Sequence, residues 1–216
     1  FPVGADVAGS ITEAVRSSLD RLKIESLYGL LLHRPAQLLS DQGSEIFSAL
    51  LRLKSDGFVK KVGVSIYDPS ELNRVFSIGH FDLVQSPLSV LDQRLITSGW
   101  LGRLADKGVE VHCRSVFLQG LLLMLPEQRP KKFNRWAGLW ERYHLWVEET
   151  GLSPLEACLT HALSNPQISR VIVGVNSRQH IEEILMAQKS NIPRFPSELG
   201  INDEVLLNPV EWMKLS

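Results

Sequence analysis

Short apolar runs alternate with amphipathic helical stretches along most of the chain, and nothing else in the sequence restricts the fold as tightly. Consecutive strands separated by a helix lie parallel, because a parallel pair needs a long crossover where an antiparallel pair needs only a tight turn. Five runs read as strands: 27–32, 59–66, 81–85, 109–115 and 169–175. They are apolar toward both faces, the pattern of a sheet covered by helices. Two architectures satisfy this alternation, an open doubly wound sheet and an arc of a closed (β/α)8 barrel. No G-x-G-x-x-G follows any of the runs, so the dinucleotide fingerprint of the open sheet is missing and the barrel is favoured.

The helical stretches carry their own start and stop signals. Residues 10–22 place Ile11, Ala14, Val15, Leu19 and Leu22 on one face, and Ser10 with Glu13 reads as a capping box. Residues 45–55 repeat the stripe with Ile46, Leu50 and Leu53, and Gly57 stops them. In Asp68-Pro69-Ser70-Glu71, Asp68 is the expected N-cap, with proline in the first helical position and Glu71 in the third. A helix over 96–107 is closed by Gly108, a Trp-rich helix covers 133–147, and Ser153-Pro154-Leu155-Glu156 opens another that runs to 164. Ser177 caps the helix after the last strand, and the tail from 191, with Pro193, Pro196 and Pro209, reads as an extended segment.

Charge and cysteine content narrow the function. With 23 Lys and Arg against 24 Asp and Glu, the chain lacks the basic excess of a nucleic-acid binder. Cys113 and Cys158 lie far apart, which excludes a disulfide scaffold and points to the reducing cytoplasm. No apolar run reaches the roughly 18 residues of a membrane span, and no basic and apolar leader is recognisable. The chain starts at Phe1 and has 216 residues against about 250 for a typical barrel, so strands are expected before this start.

Functional groups of a barrel gather at the C-terminal ends of its strands. Those ends hold His33 and Arg34, Ser65, Gln85 and Ser86, Arg114 and Ser115, and the segment from Gly174 to Ser177. They include no carboxylate pair and no His and Cys cluster, so glycosidase chemistry and a metal centre are not expected. Amide, hydroxyl and guanidinium donors suit a polar or anionic ligand. His80, His112, His144 and His161 read as structural, and Trp136 and Trp140, at helical spacing, as core packing.

The ordered set of motifs resembles the aldo/keto reductase family. It comprises Ser17-Ser18-Leu19-Asp20-Arg21-Leu22 through Leu30-Leu31-Leu32-His33-Arg34-Pro35, then Val62-Gly63-Val64-Ser65 and Phe81-Asp82-Leu83-Val84-Gln85-Ser86-Pro87. Arg114-Ser115-Val116-Phe117-Leu118-Gln119-Gly120-Leu121-Leu122, Val171-Ile172-Val173-Gly174-Val175 and the terminal Asn208-Pro209 with Trp212 complete it. The resemblance implies an α/β fold, a (β/α)8 TIM barrel here lacking its first three strands, as one domain over 1–216. It implies an NADP(H)-dependent oxidoreductase that reduces an aldehyde or ketone by hydride transfer without metal.

The same resemblance assigns roles. Of the family's catalytic Asp, Tyr, Lys and His, His33 matches the histidine, and the other three belong to strands expected before Phe1. Ser65 and Gln85 match residues that hold the nicotinamide carboxamide. Arg114, with Ser115 beside it, stands where the family usually stacks an aromatic ring on nicotinamide; a planar guanidinium can also stack. Gly174, Asn176 and Ser177 lead into a helix N-terminus that favours phosphate, with Arg178 as partner for an NADP 2′-phosphate. Glu183 matches a family acid near the adenine, while Ile184 replaces the usual asparagine beside it and His180 the usual glutamine or arginine. The expected partner is a small carbonyl substrate, with no nucleic acid and no membrane. The competing expectation is a nicotinamide-cofactor-binding regulatory module on the same fold, without turnover.

Overall fold

The computed structural model describes residues 6–187 and 196–215. Five parallel strands follow one another in the sheet in chain order: β1 (Leu27–Leu32), β2 (Val59–Ser65), β3 (Leu83–Pro87), β4 (Glu110–Arg114) and β5 (Arg170–Val171). The helices are α1 (Val7–Leu22), α2 (Gly43–Ser55), α3 (Glu71–Val75), α4 (Arg94–Thr97) and α5 (Trp100–Asp106), then α6 (Ala137–Thr150), α7 (Pro154–Leu163), α8 (Arg178–Ala187) and α9 (Glu204–Leu207). By contacts the chain divides into two compact units, Phe1–Gln85 with Leu104–Val111, and Ser86–Arg103 with His112–Ser216.

In the first unit, α1 buries Val7, Ile11, Val15 and Leu19, one residue per turn, against a stripe of Ile46, Leu50 and Leu53 on α2. The stripe is narrower than the periodicity suggested: Ala14 and Leu22 face solvent. The helix also starts a turn earlier than the Ser10 and Glu13 pattern indicated. Asp6 is its N-cap, its carboxylate accepting from the Gly9 amide at 2.7 Å, and the Ser10 hydroxyl donates back to the Asp6 carbonyl. Asp and Ser are comparable N-caps, and the Asp6 carboxylate also meets the positive end of the helix dipole.

β2 pairs with β1 from Leu27 opposite Val59 to Leu32 opposite Val64, and with β3 from Gly63 opposite Leu83 to Ser65 opposite Gln85. A Cβ on Gly63 would overlap the Leu83 carbonyl, so only glycine lets these backbones approach. The third strand begins at Leu83, not at 81. Phe81 instead packs edge-on between Phe47 and Phe76, at 5.2 and 6.1 Å. Asp68 caps no helix; its carboxylate closes a turn on the Ser70 amide, and α3 begins at Glu71, whose carboxylate accepts from the amides of Tyr67 and Asp68.

In the second unit the expected helix over 96–107 is broken at Gly99, whose φ of 74° separates α4 from α5. The Trp-rich stretch is 3-10 helix over Lys131–Trp136 before α6 begins at Ala137. Trp140, Tyr143 and Trp146 pack with Leu121, Leu122 and Leu206 in the unit's larger core cluster. Ser153 and Glu156 do form the capping box of α7.

β5 is two residues long where seven looked strand-like. Its register pairs His112 with Arg170 and Cys113 with Val171, and one further bond joins the Ile172 amide to the Cys113 carbonyl. After Arg114 the partner strand turns away at Ser115, in the left-handed region at φ 60°, so residues beyond Ile172 find no ladder. The tail is not extended where it is described. Ser197–Leu199 and Glu211–Lys214 are 3-10 turns flanking α9, and Leu199, Leu206 and Leu207 are buried. Phe1, Asn191 and Pro193 lie outside the described residues.

Candidate functional site

The strand ends of the first unit carry four of the residues singled out by the sequence, His33, Arg34, Ser65 and Gln85. His33 leaves β1 exposed to solvent, its ring edge-on to that of Tyr67 at 6.1 Å between centroids. Pro35 starts a 3-10 turn directly after it, which fixes where β1 ends. His33 and Arg34 stand at the rim of a 430 Å³ cavity walled by Leu27, Leu30 and Leu31 of β1 and Ile11 and Val15 of α1.

Ser65 and Gln85 are brought together. The parallel register sets them side by side at the ends of β2 and β3, and the Ser65 hydroxyl donates to Gln85 Oε1 at 3.1 Å. Ser65 is 2% exposed, so its rotamer is held by the surrounding strand residues. That bond uses the serine's one donor and one amide lone pair. The Gln85 NH2 then presents donors and the Ser65 oxygen retains lone-pair capacity, the complement of a primary carboxamide.

In the second unit Arg114 ends β4, and its Nη1 donates to the Ser115 hydroxyl at 3.3 Å. Ser115, Leu118 and Gln119 all hold positive φ, between 45° and 60°, within five residues of chain. Strained backbone of this kind persists only where its surroundings over-determine it, and it clusters at functional sites. The resemblance covered this stretch but gave a role only to Arg114 and Ser115, not to the left-handed turn that follows. Its sequence signal is faint, since only Gly120 among the four left-handed positions from 115 to 120 is a residue type that prefers them.

Gly174, His180, Glu183 and Ile184 line a 290 Å³ cavity with Phe117, Leu123, Ser153, Pro154 and Leu155. The first four were anticipated. The others come from the loop after β4 and the start of α7, segments whose apolar residues gave no sign of facing a cavity rather than the core. Ser177 caps α8 by accepting from the His180 amide at 3.1 Å. Asn176, Ser177 and Arg178 are exposed and are not among the residues lining this cavity. Arg178 pairs with Glu182 at 2.7 Å, and Gln179 donates to Glu183 Oε1 at 2.8 Å.

The other polar aromatic and sulfur groups are structural. The indoles of Trp136 and Trp140 donate to Asp203 and to the Phe133 carbonyl, and Trp140 is buried. Burial pushes the thiols of Cys113 and Cys158 up to about 12, so neither is a nucleophile near neutral pH. Among the described residues no three His, Cys, Asp or Glu side chains are gathered to hold a metal. Nor, among those residues, is any helix long and apolar enough to cross a membrane.

Parallel βα units with polar strand ends define the class of βα-barrel proteins, and the likeness to solved structures places the fold there. An aldo-keto reductase from Bacillus halodurans superposes with a TM-score of 0.71 at 22% identity, over 90% of this chain and 66% of that one. The family model for the aldo/keto reductases matches residues 5–196, and the chain belongs to that family. An uncharacterised oxidoreductase of Bacillus subtilis (strain 168) is 25% identical over 186 residues, 82% of this chain and 60% of that protein. An NADH-specific methylglyoxal reductase of Escherichia coli (strain K12) is 30% identical over 114 residues, 52% of this chain and 35% of that protein. The chain thus spans at most about three fifths of these two relatives.

Proposed function

We propose that this chain forms the greater part of a carbonyl reductase that uses a nicotinamide dinucleotide, with a small aldehyde or ketone as substrate. The observation that supports it best is the Ser65 and Gln85 pair at adjacent strand ends. A nicotinamide carboxamide fits what this pair offers: its oxygen accepts from the Gln85 NH2 and its NH2 donates to the Ser65 oxygen. Held at both ends, the carboxamide cannot flip, and one ring face is presented. When bound, the reduced nicotinamide supplies a hydride to a carbonyl carbon.

The chain's own residues bind and orient. By the family resemblance Arg114 takes the place of the ring-stacking aromatic residue, and a planar guanidinium can also stack. Ser177 and the N-terminal turn of α8 offer amides and a positive dipole end to the pyrophosphate. His33 directs a ring N–H toward the carbonyl oxygen of the substrate, favouring charge that develops there. The resemblance assigns a residue of this chain to only one of the family's four catalytic groups, His33, so turnover is tested apart from binding.

A titration followed by reduced-nicotinamide fluorescence, then aldehyde-dependent loss of that signal, tests both. Binding is expected, and Gln85→Leu should weaken it about ten-fold, the worth of one well-placed hydrogen bond. Absence of binding to either NADH or NADPH sinks the proposal. Aldehyde-dependent loss by this chain favours the reductase reading; binding without it in a longer chain that also carries the family's Asp, Tyr and Lys assigns the protein to the competing reading, a cofactor-binding regulatory module.

A further inference from the structure

His33 can aim a ring N–H at a substrate only if its ring is held. The torsion that turns an imidazole about its Cβ–Cγ bond is broad, without sharp staggered wells, and His33 stands exposed just past the end of β1. Among the described residues no group hydrogen-bonds either of its ring nitrogens. What meets the ring is Tyr67, edge-on, with centroids 6.1 Å apart and planes at 77°. Two aromatic rings attract in this arrangement, and the contact opposes the rotation that would carry the imidazole away.

Tyr67 is itself fixed by the chain around it. The Ile66 amide donates to the Gln85 carbonyl at 2.9 Å, which carries the bonding of β2 to β3 one residue past Ser65. The Tyr67 amide donates to Glu71 Oε1 at 2.8 Å, and the same oxygen accepts from the Asp68 amide at 2.9 Å. Pinned on both sides, this backbone offers the half-buried Tyr67 ring as a fixed stop. The register explains why the stop meets His33. Pairing of β1 with β2 ends at Leu32 opposite Val64, so His33 and Ser65 are the next opposed positions, and Tyr67 lies two residues further along.

We propose that Tyr67 is a positioning residue for His33: its ring holds the imidazole in the orientation that turns a ring N–H toward the substrate oxygen. This rests on the role given to His33 above, and the Tyr67 ring, not its hydroxyl, carries it. Carbon-13 relaxation and nuclear Overhauser effects of the His33 ring, measured in the whole chain, read the orientation. His33→Gln identifies the signals. In the parent and in Tyr67→Phe, cross-peaks between the two rings and an ordered imidazole are expected. Tyr67→Leu should lose both while the urea midpoint changes little. In a longer chain that turns over aldehyde, Tyr67→Leu should lower kcat about ten-fold at unchanged dinucleotide affinity, and Tyr67→Phe should restore it. A disordered His33 ring in the parent overturns the inference, as does an equally ordered ring in Tyr67→Leu. So does Tyr67→Phe behaving as Tyr67→Leu, or a kcat that His33→Gln lowers and Tyr67→Leu does not. Dinucleotide titration separates the two failures. A chain that binds neither NADH nor NADPH removes the reductase reading, while the relaxation data still decide whether Tyr67 orders His33.

Discussion

The phenol of Tyr28 on β1 bonds both carboxylate oxygens of Glu110 on β4, at 2.7 and 2.8 Å. The two strands are three places apart in the sheet, about 14 Å if the sheet were flat. Side chains standing upright from a flat sheet would not meet over that span. Their contact shows that the inner face of this unit is concave, as an arc of barrel requires. Lys61 on β2 reaches the same carboxylate at 2.6 Å, and its ammonium lies 5.5 Å from the centre of the Tyr28 ring. The bond to Glu110 holds the Lys61 ammonium above its ordinary pKa despite partial desolvation.

Removing the phenol tests how much this brace contributes. Tyr28→Phe keeps the ring over Lys61 and removes the hydroxyl that bonds Glu110, so a loss of about 1 kcal/mol is expected. Glu110→Gln should cost more, because it also leaves Lys61 without its counter-charge. Urea midpoints of the two variants against the parent check the order; a neutral Glu110→Gln would mean that the brace is passive.

Gly63→Ala bears on the strands that hold Ser65 and Gln85. The added methyl would overlap the Leu83 carbonyl, a backbone group that cannot rotate aside, so β2 and β3 must part. The expected outcome is loss of several kcal/mol, seen as insoluble or protease-sensitive protein. A soluble Gly63→Ala with an unchanged urea midpoint would refute the close approach.

The order and direction of the strands were legible because apolar runs and caps are local signals, and Ser153 with Glu156 behaves as its spacing says. What the sequence hid depends on neighbours. Residues 172–175 are as apolar as any strand, yet β5 stops where β4 turns at Ser115, a backbone event with no residue-type signature. Arg178 was identified as a cation near a helix start, but its pairing with Glu182 depends on which rotamers meet across one turn. Ser65 and Gln85 could be named by resemblance; that their side chains touch follows only from the register.

Stability should fall in two separate acid steps. His161 is 1% exposed, and burial lowers its pKa to about 4, with the Ser89 backbone bond offsetting only part. The unfolded state binds this proton first, near pH 6.5, so stability drops as pH falls from there to about 4, by roughly 3 kcal/mol. His161→Gln should flatten that slope.

Asp82 acts lower. Burial raises its pKa, but the Lys54 bond at 2.7 Å and the Val62 amide outweigh burial and hold it below the usual carboxylate range. Its contribution is therefore full at neutral pH and is lost below about pH 4, as it protonates. Urea midpoints across pH for the parent and Asp82→Asn separate the two steps; a single transition common to every variant would contradict them.

Arg114 sets the last expectation, which concerns redox state. The residue ends β4 with a permanent positive charge, at the position proposed to stack on the nicotinamide ring. The reduced ring is neutral and the oxidised ring is a cation, so the guanidinium stacks on the first and repels the second. An aromatic residue there would do the reverse, since its negative face attracts a cation. Arg114→Tyr should therefore tighten the oxidised dinucleotide several-fold while changing the reduced one little, and product cofactor should leave more slowly. Titrating both redox forms into parent and variant measures this directly. Equal tightening of the two forms would mean that ring area, and not the charge on Arg114, governs the site.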